Sequence, residues 1–269
     1  RVLAMELGRV SSHLVWWGTY LLDLGAISPF LYAFREREMI LNLLNELSGA
    51  RLTFNYMRVG GVKWDAPEGW IEKVRQFVPY MREQLKGYHD LVTGNEIFMN
   101  RIIGVGKYSK EEAVNYSLSG ANLRSTGIKY DLRKQEPYSI YHRFDFDIPI
   151  REEGDAWARY HCRIEEIEES LKIIEQAVDQ FPSDGPILAK VPKIIKAPAG
   201  ETFVRIEAPR GEIGCYIYSE GKKEPYRLKF RRPSFYNLQI LPKLLKGENI
   251  ANLIAILGAI DIVLGEVDG

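Results

Sequence analysis

Residues 155–181 constrain this chain more than any other stretch. Trp157, Tyr160, Ile164, Ile167, Leu171, Ile174, Val178 and Phe181 follow one another at alternating spacings of three and four. That spacing puts a continuous apolar stripe along one side of a long helix and predicts packing against other helices. Glu168 and Lys172, four apart, predict an ion pair on its outer side. A fold built on this helix must supply more helices to cover the stripe, and the chain does so. Residues 2–23 read as an apolar helix ending at Gly25. Ser28 as N-cap with Pro29 behind it starts a second, which runs to Ser48 and stops at Gly49. A third follows Asp65 and Glu68, which resemble a capping box around Pro67. It keeps Trp70, Val74, Phe77, Met81 and Tyr88 near one face, with a kink expected at Pro79.

The remaining segments are shorter. Residues 51–58 read as a strand leading to a turn at Gly60-Gly61, and residues 95–102 and 110–118 as short helices, the latter capped by Ser109. Residues 119–149, rich in Gly, Tyr and Arg, read as an irregular loop carrying short strands. After a Pro- and Lys-containing connector, the period changes to two over 202–232, where Tyr226, Leu228 and Phe230 alternate with Arg227, Lys229 and Arg231. This predicts a small antiparallel meander with turns at Pro209-Arg210-Gly211 and Ser219-Glu220-Gly221. Helices at 239–245 and 250–264 close the chain. The expected fold class is α+β, mainly α: a long-helix core with a small β-meander, in one domain over residues 1–269.

Charge and composition exclude several functions. Lys+Arg equals Asp+Glu over 269 residues, so no basic excess points to nucleic acid. The two apolar stretches, 10–24 and 250–267, contain or adjoin charged residues. A spanning helix needs about 20 nearly uncharged ones, so both read as buried helices. Cys162 and Cys215 are too far apart for a metal-ligand pair and too few for a disulfide framework; a reducing, cytoplasmic compartment is the expectation. His13, His89, His142 and His161 form no H-x-x-x-H pair, and no metal site is expected from this chain. Neither a phosphate loop nor a nucleophile elbow is present. The chain opens at Arg1 already in helical pattern, which reads as a start inside a helix of something longer.

A few polar residues could carry chemistry. Asp23 closes an apolar helix, where the macrodipole disfavours an acid. It is either an ordinary helix-end carboxylate, which the residues alone favour, or one placed to orient a histidine. The run Arg35-Glu36-Arg37-Glu38 reads as a solvated helix face. Arg58, Arg124 and Arg133 lie beside glycines or in a Gly-rich loop, where a guanidinium can face a cofactor or brace loop carbonyls.

The order of MELGRVSSHL, LDLGAISPFLYAFRERE, GARLTFNYMRVGGV, LRSTGIKYDLRK, QEPYSIY, GDAWARYHCRIEEIEESLKII, EAPRGEIGCYI, PYRLKFRRPSF and AIDIVLGEVD closely resembles the family of D-type subunits of bacterial NADH-quinone oxidoreductase, respiratory complex I, and its mitochondrial and chloroplast counterparts. The resemblance spans essentially the whole chain. It implies a peripheral subunit on the cytoplasmic side of the cell membrane, within an NADH dehydrogenase that acts as a proton translocase in electron transport. It implies a quinone cavity shared with the subunit that holds a four-iron iron–sulfur cluster, with other peripheral-arm subunits and a membrane-arm subunit near the quinone entrance as further partners. No cofactor is implied for this chain itself, and quinone is the substrate.

By the same resemblance, Asp23 supports a quinone-binding histidine. That histidine and its companion tyrosine lie upstream of Arg1 in the family, so the fragment alone is expected to be inactive. Arg58, Arg124, Arg133 and Thr53 are cluster- or cavity-facing or structural candidates. Thr53 stands where many relatives have a histidine tied to redox-linked protonation, and one implication is a lower-potential cluster serving menaquinone. Asn252 stands where relatives place Asp, and Gly269 where they place Arg. The fold also resembles the large subunit of nickel–iron hydrogenases, whose metal-binding C-x-x-C pairs have no counterpart here, so nickel is rejected. The alternatives are a scaffold subunit without direct quinone contact and a hydrogenase-like large subunit that has lost its metal site. Apolar surfaces meant for partners leave room for self-association.

Overall fold

In the computed structural model, which describes residues 1–182, 184–192 and 194–268, four long helices make the core. These are α1 (Val2–Asp23), α2 (Ile27–Ser48), α3 (Trp70–Tyr88) and α8 (Ala156–Asp179). α1 is apolar on most of its circumference because it is covered from both sides: α2 packs along one flank and α8 along another. Helix α8 starts where Asp155 caps the backbone N–H of Ala158. Its stripe from Tyr160 to Val178 is buried. Phe181, past the helix end, is not. Aromatic rings fill the space between helices. Trp17 stacks on Tyr88 at 4.2 Å between centroids, and Phe98 meets Tyr160 edge-on at 5.0 Å, an arrangement suited to ring quadrupoles.

The smaller elements follow in order. Strands β1 (Met57–Arg58) and β2 (Gly61–Val62) form a minimal hairpin. Residues His89–Thr93 continue α3 as one π-helical turn. Then come α4 (Glu96–Ile102), α5 (Lys110–Asn115), α6 (Ala121–Arg124) and α7 (Leu132–Gln135). Strands β3 (Ala199–Ala208), β4 (Gly211–Glu220) and β5 (Arg227–Arg231) form an antiparallel meander, with Val204 opposite Cys215 and Cys215 opposite Phe230. Helices α9 (Pro233–Leu238), α10 (Leu241–Leu244), α11 (Asn252–Ile260) and α12 (Leu264–Asp268) complete it. The architecture is mainly helical α+β, as expected.

Several local expectations are corrected. Helix α2 begins at Ile27 behind Ala26, with no side-chain cap, so Ser28 is inside the first turn. Pro29 is tolerated there because first-turn N–H groups have no intrahelical partner. The strand expected over 51–58 shrinks to two residues, since Thr53 takes a left-handed φ of 51° and interrupts the extended run. Asp65 does not form a capping box. It accepts from Ala66 N at 2.8 Å, and α3 starts behind Gly69 at φ 74°. Residues 119–149 contain short helices and a 3₁₀ turn, Tyr141–Arg143, in place of strands. Glu168 pairs with Arg82 at 2.9 Å and Lys172 with Glu169 at 2.7 Å, so the expected Glu168–Lys172 pair is absent.

At the C-terminal end the helices are cut differently from 239–245 and 250–264. The second stops at Ile260 because Asp261 adopts φ 59°, its carboxylate held by Arg210 at 3.2 Å. Asp reaches the left-handed region more readily than most residues. Residues 35–38 are not wholly a solvated face either. Glu36 is buried, accepting from Tyr88 at 2.6 Å, Tyr80 at 3.0 Å and Arg35 at 2.7 Å. Among the described residues no helix is long and apolar enough to cross a membrane.

Candidate functional site

Two places concentrate polar chemistry, one inside the helical core and one at its rim. The inner one starts from α1 and α8. Glu6, Arg9 and His13 share one face of α1 at spacings of three and four, and Arg163, Glu166 and Ser170 repeat that spacing on α8. All are buried. The segment 121–133 and the end of β3 close around these faces and add Arg124, Asp131, Arg133 and Glu207, also buried.

Glu166 is the centre. Arg124 Nη2 and Arg133 Nη2 each donate to it at 2.9 Å, His13 Nε2 stands at 3.1 Å and Arg9 Nη1 at 3.6 Å. Arg133 also reaches Asp131 at 2.7 Å and Glu6 at 3.1 Å. Arg124 reaches Glu207 at 2.8 Å, and Tyr141 donates to Glu6 at 2.5 Å. Burial by itself raises the pKa of Glu166, but Arg124, His13 and Arg133 outweigh it and hold that carboxyl well below its ordinary range. His13 is pushed below the ordinary imidazole value, by burial more than Glu166 offsets. Arg124 and Arg133 therefore point inward and brace α1, α8 and β3; neither reaches the surface.

The rim site lies where α1 ends. One cavity of about 450 Å³ is lined by Trp16, Tyr20 and Asp23 from α1, Leu257 and Gly258 from α11, and Asp261. α11 can approach this closely because Gly258 has no side chain: a Cβ there would stand 2.5 Å from Tyr20 Cδ2. Trp16 Nε1 donates to Gly258 O at 2.8 Å and fixes the approach. A second cavity of about 440 Å³ continues past the helix end, between Leu24–Pro29 and the segment bearing Leu91, Ile97 and Phe98. Asp23 is exposed at the first and adjoins the residues of the second. Among the described residues it has no hydrogen-bonded or ion-paired partner.

The other sequence candidates lie elsewhere. Arg58 is half-buried in the β1–β2 hairpin, its Nη1 on Asn55 Oδ1 at 2.5 Å and on Met57 O at 2.9 Å. Thr53 is exposed on the preceding loop. The structure therefore does not assemble Asp23, Arg58, Thr53, Arg124 and Arg133 into one site. It joins only Arg124 and Arg133, and it joins them to Glu6, Arg9, His13, Asp131, Glu166 and Glu207, none of which stood out in the sequence. Their signal was present as charged residues at helical spacing on helices that are otherwise apolar. Among the described residues no three His, Cys, Asp or Glu side chains are grouped to hold a metal ion.

The chain is thus a mainly helical α+β protein with a charged seam inside its helical core and an open, largely apolar cleft at one end. The model of the respiratory-chain NADH dehydrogenase 49 kDa subunit matches residues 23–196 and 190–269. The chain belongs to that family and is a subunit of an oxidoreductase complex. The D-type subunit of the NADH-quinone oxidoreductase of Geobacillus thermodenitrificans (strain NG80-2) is 82% identical over all 269 residues, which span 74% of that protein. The corresponding subunits of Geobacillus kaustophilus (strain HTA426) and Bacillus mycoides (strain KBAB4) are 82% and 83% identical over the same 269 residues, covering 73% and 74% of their lengths.

Proposed function

We propose that this chain forms one wall of the site where an NADH-quinone oxidoreductase reduces its quinone, with an iron–sulfur cluster subunit as the other wall. The observation that carries the reading is Asp23: an unpartnered carboxylate lining a cavity of about 450 Å³, next in sequence to Leu24 at a second, largely apolar one of about 440 Å³. Small-molecule sites have this size and this mixture of apolar wall with few polar groups. A carboxylate with no partner of its own can accept a hydrogen bond from an imidazole, fix its tautomer and raise its pKa. That prepares the imidazole to protonate a reduced quinone. Among the described residues no histidine bonds Asp23, so in this proposal the imidazole comes from outside them and the chain alone is inactive.

The partner surfaces agree with a peripheral subunit at the cytoplasmic face of a membrane. Ile27, Leu91 and Ile97 are exposed beside the second cavity, and Val204, Leu228 and Phe230 share one bare face of the meander. Apolar patches of this kind mark interaction sites, here assigned to the cluster subunit and to subunits nearer the membrane. The scaffold reading has its own support in Arg124 and Arg133, which are fully buried and bind core carboxylates.

Asp23→Asn in the assembled complex separates the two. The quinone reading expects at least a tenfold loss of kcat with quinone and an unchanged rate from NADH to an artificial acceptor that bypasses the quinone site. Normal assembly with full quinone reductase activity refutes it and leaves the scaffold.

A further inference from the structure

We propose that the buried cluster holds one exchangeable proton, carried by the carboxyl group of Glu207, which competes with Asp131 for Arg124. The first argument is a charge count. Arg9, Arg124 and Arg133 face Glu6, Asp131, Glu166 and Glu207, all buried, so three cations meet four carboxylates. An uncompensated charge in a buried site is removed by taking up a proton.

Geometry decides where the proton goes. His13 is an unsuitable holder. Its Nε2 already lies on Glu166 at 3.1 Å, and its Nδ1 is buried without any partner. Protonating Nδ1 would bury an N–H with nothing to accept it. Of the carboxylates, Glu166 faces three guanidinium groups and His13. Glu6 has Arg9, Arg133 and the Tyr141 hydroxyl. Asp131 has Arg133 along its side and also accepts from Arg133 N at 2.9 Å. Glu207 has the fewest cationic partners: Arg124 at 2.8 Å on one oxygen, and only Leu132 N at 3.3 Å on the other. Asp131 stands 3.7 Å from the same Arg124 Nη1, so two acids compete for one cation.

The other charged groups around Glu207 are already committed. Arg9 Nη2 binds its backbone carbonyl at 2.6 Å. Glu212, opposite it in the sheet, is paired with Arg205 and Arg231. Tyr138 reaches its backbone carbonyl at 3.4 Å, and Tyr130 gives its carbonyl to Arg124 at 3.3 Å. Deeper along α8, Arg163 and Arg210 face Asp261, and Arg159 binds the carbonyls of Gly154 and Gly106. Consistent with this arrangement, burial and then Asp131 push the Glu207 pKa up to about 7 against the pull of Arg124. With Glu207 neutral, three cations meet three anions, and Arg124 can still donate to the carbonyl oxygen of the acid.

Neutral glutamic acid and glutamine differ little in shape and charge, which makes Glu207→Gln the test. The measurement is the infrared difference spectrum of the assembled complex between acid and alkaline pH, recorded for wild type and for the variant. Wild type is expected to show a protonated-carboxyl carbonyl band that is lost as the pH rises through neutrality. The Gln variant is expected to assemble at the wild-type level and to lack the intensity of one such carboxyl. Asp131→Asn, by removing the competing acid, should move the transition to lower pH. A band that survives Glu207→Gln overturns the proposal by placing the proton elsewhere. A Gln variant that fails to assemble overturns it by requiring an ionised carboxylate. The readout does not depend on quinone, so its failure and that of the quinone reading are distinguishable.

Discussion

Glu166→Gln should be among the most damaging substitutions in the chain although it changes one atom. The glutamate accepts from Arg124 and Arg133 at 2.9 Å each and stands 3.1 Å from His13 Nε2, all with no exposed side-chain surface. The amide removes the charge that three guanidinium groups face, and its NH₂ brings a donor against donors. Breaking a buried ion pair by neutralising one partner costs about 3–5 kcal/mol, a large share of the roughly 5–15 kcal/mol that stabilises a domain. With a urea m-value of about 3 kcal/mol/M, the midpoint should fall by about 1–1.7 M. Tryptophan fluorescence can follow the transition, since Trp16 and Trp17 are buried on the same helix as Glu6, Arg9 and His13. The folded pKa of Glu166 is depressed below its ordinary 4.5. Its contribution is therefore complete above that value and is lost as pH falls through the depressed folded value. The Glu166 part of the gap between wild type and variant should close only in acid. A midpoint shift below about 0.3 M at neutral pH, against the 3–5 kcal/mol expectation, would refute the assignment of Glu166 as the keystone of the seam.

Two further outcomes follow from the rim and the hairpin loop. In Gly258→Ala the new Cβ would stand 2.5 Å from Tyr20 Cδ2, so α11 must move off α1 at a cost of about 1–3 kcal/mol; a calorimetric midpoint equal to wild type would contradict this. On the expectation, carried by the family resemblance alone, that Thr53 faces the partner subunit's cluster, no imidazole at this position can link electron to proton, so the cluster potential should stay nearly flat between about pH 6 and 8. A redox titration giving a slope near about 59 mV per pH unit, the value for one proton per electron, would count against it.

The long helices were readable because their periodicity reports burial, and burial is what holds them. Val2–Asp23, the α3 face and the α8 stripe are all recovered. The meander was readable for the same reason at period two. Short elements were not. Thr53 and Asp261 take left-handed backbone that the residue types only permit, and no periodic signal marks such positions. The 119–149 segment failed differently. Its side chains direct their hydrogen bonds to the buried seam, Arg124 and Arg133 among them, and the backbone curls into α6 and α7 around that seam in place of pairing as strands.

The two sites were legible to opposite degrees, and one physical cause explains both. A guanidinium beside a glycine looks the same in sequence whether it faces a cofactor or a core carboxylate; what distinguishes them is the number of acids within reach. Here Glu6 and Glu166 sit on the inner faces of α1 and α8, in register with Arg9 and His13, so Arg124 and Arg133 were already spoken for inside the fold. Asp23 carries the opposite signature. It is exposed at the end of a helix where a lone acid is disfavoured, beside an apolar cleft, with no partner of its own among the described residues. Folding energetics does not account for such a group, because nothing described in the chain is stabilised by it. Periodicity and capping rules report what a chain buries within itself and are silent about a carboxylate with no partner among the described residues. That is why the residues alone favoured an ordinary helix-end role for Asp23 and a quinone role entered only with the motif LDLGAISPF, while the buried seam, which does stabilise the fold, was open to inference from helical spacing alone.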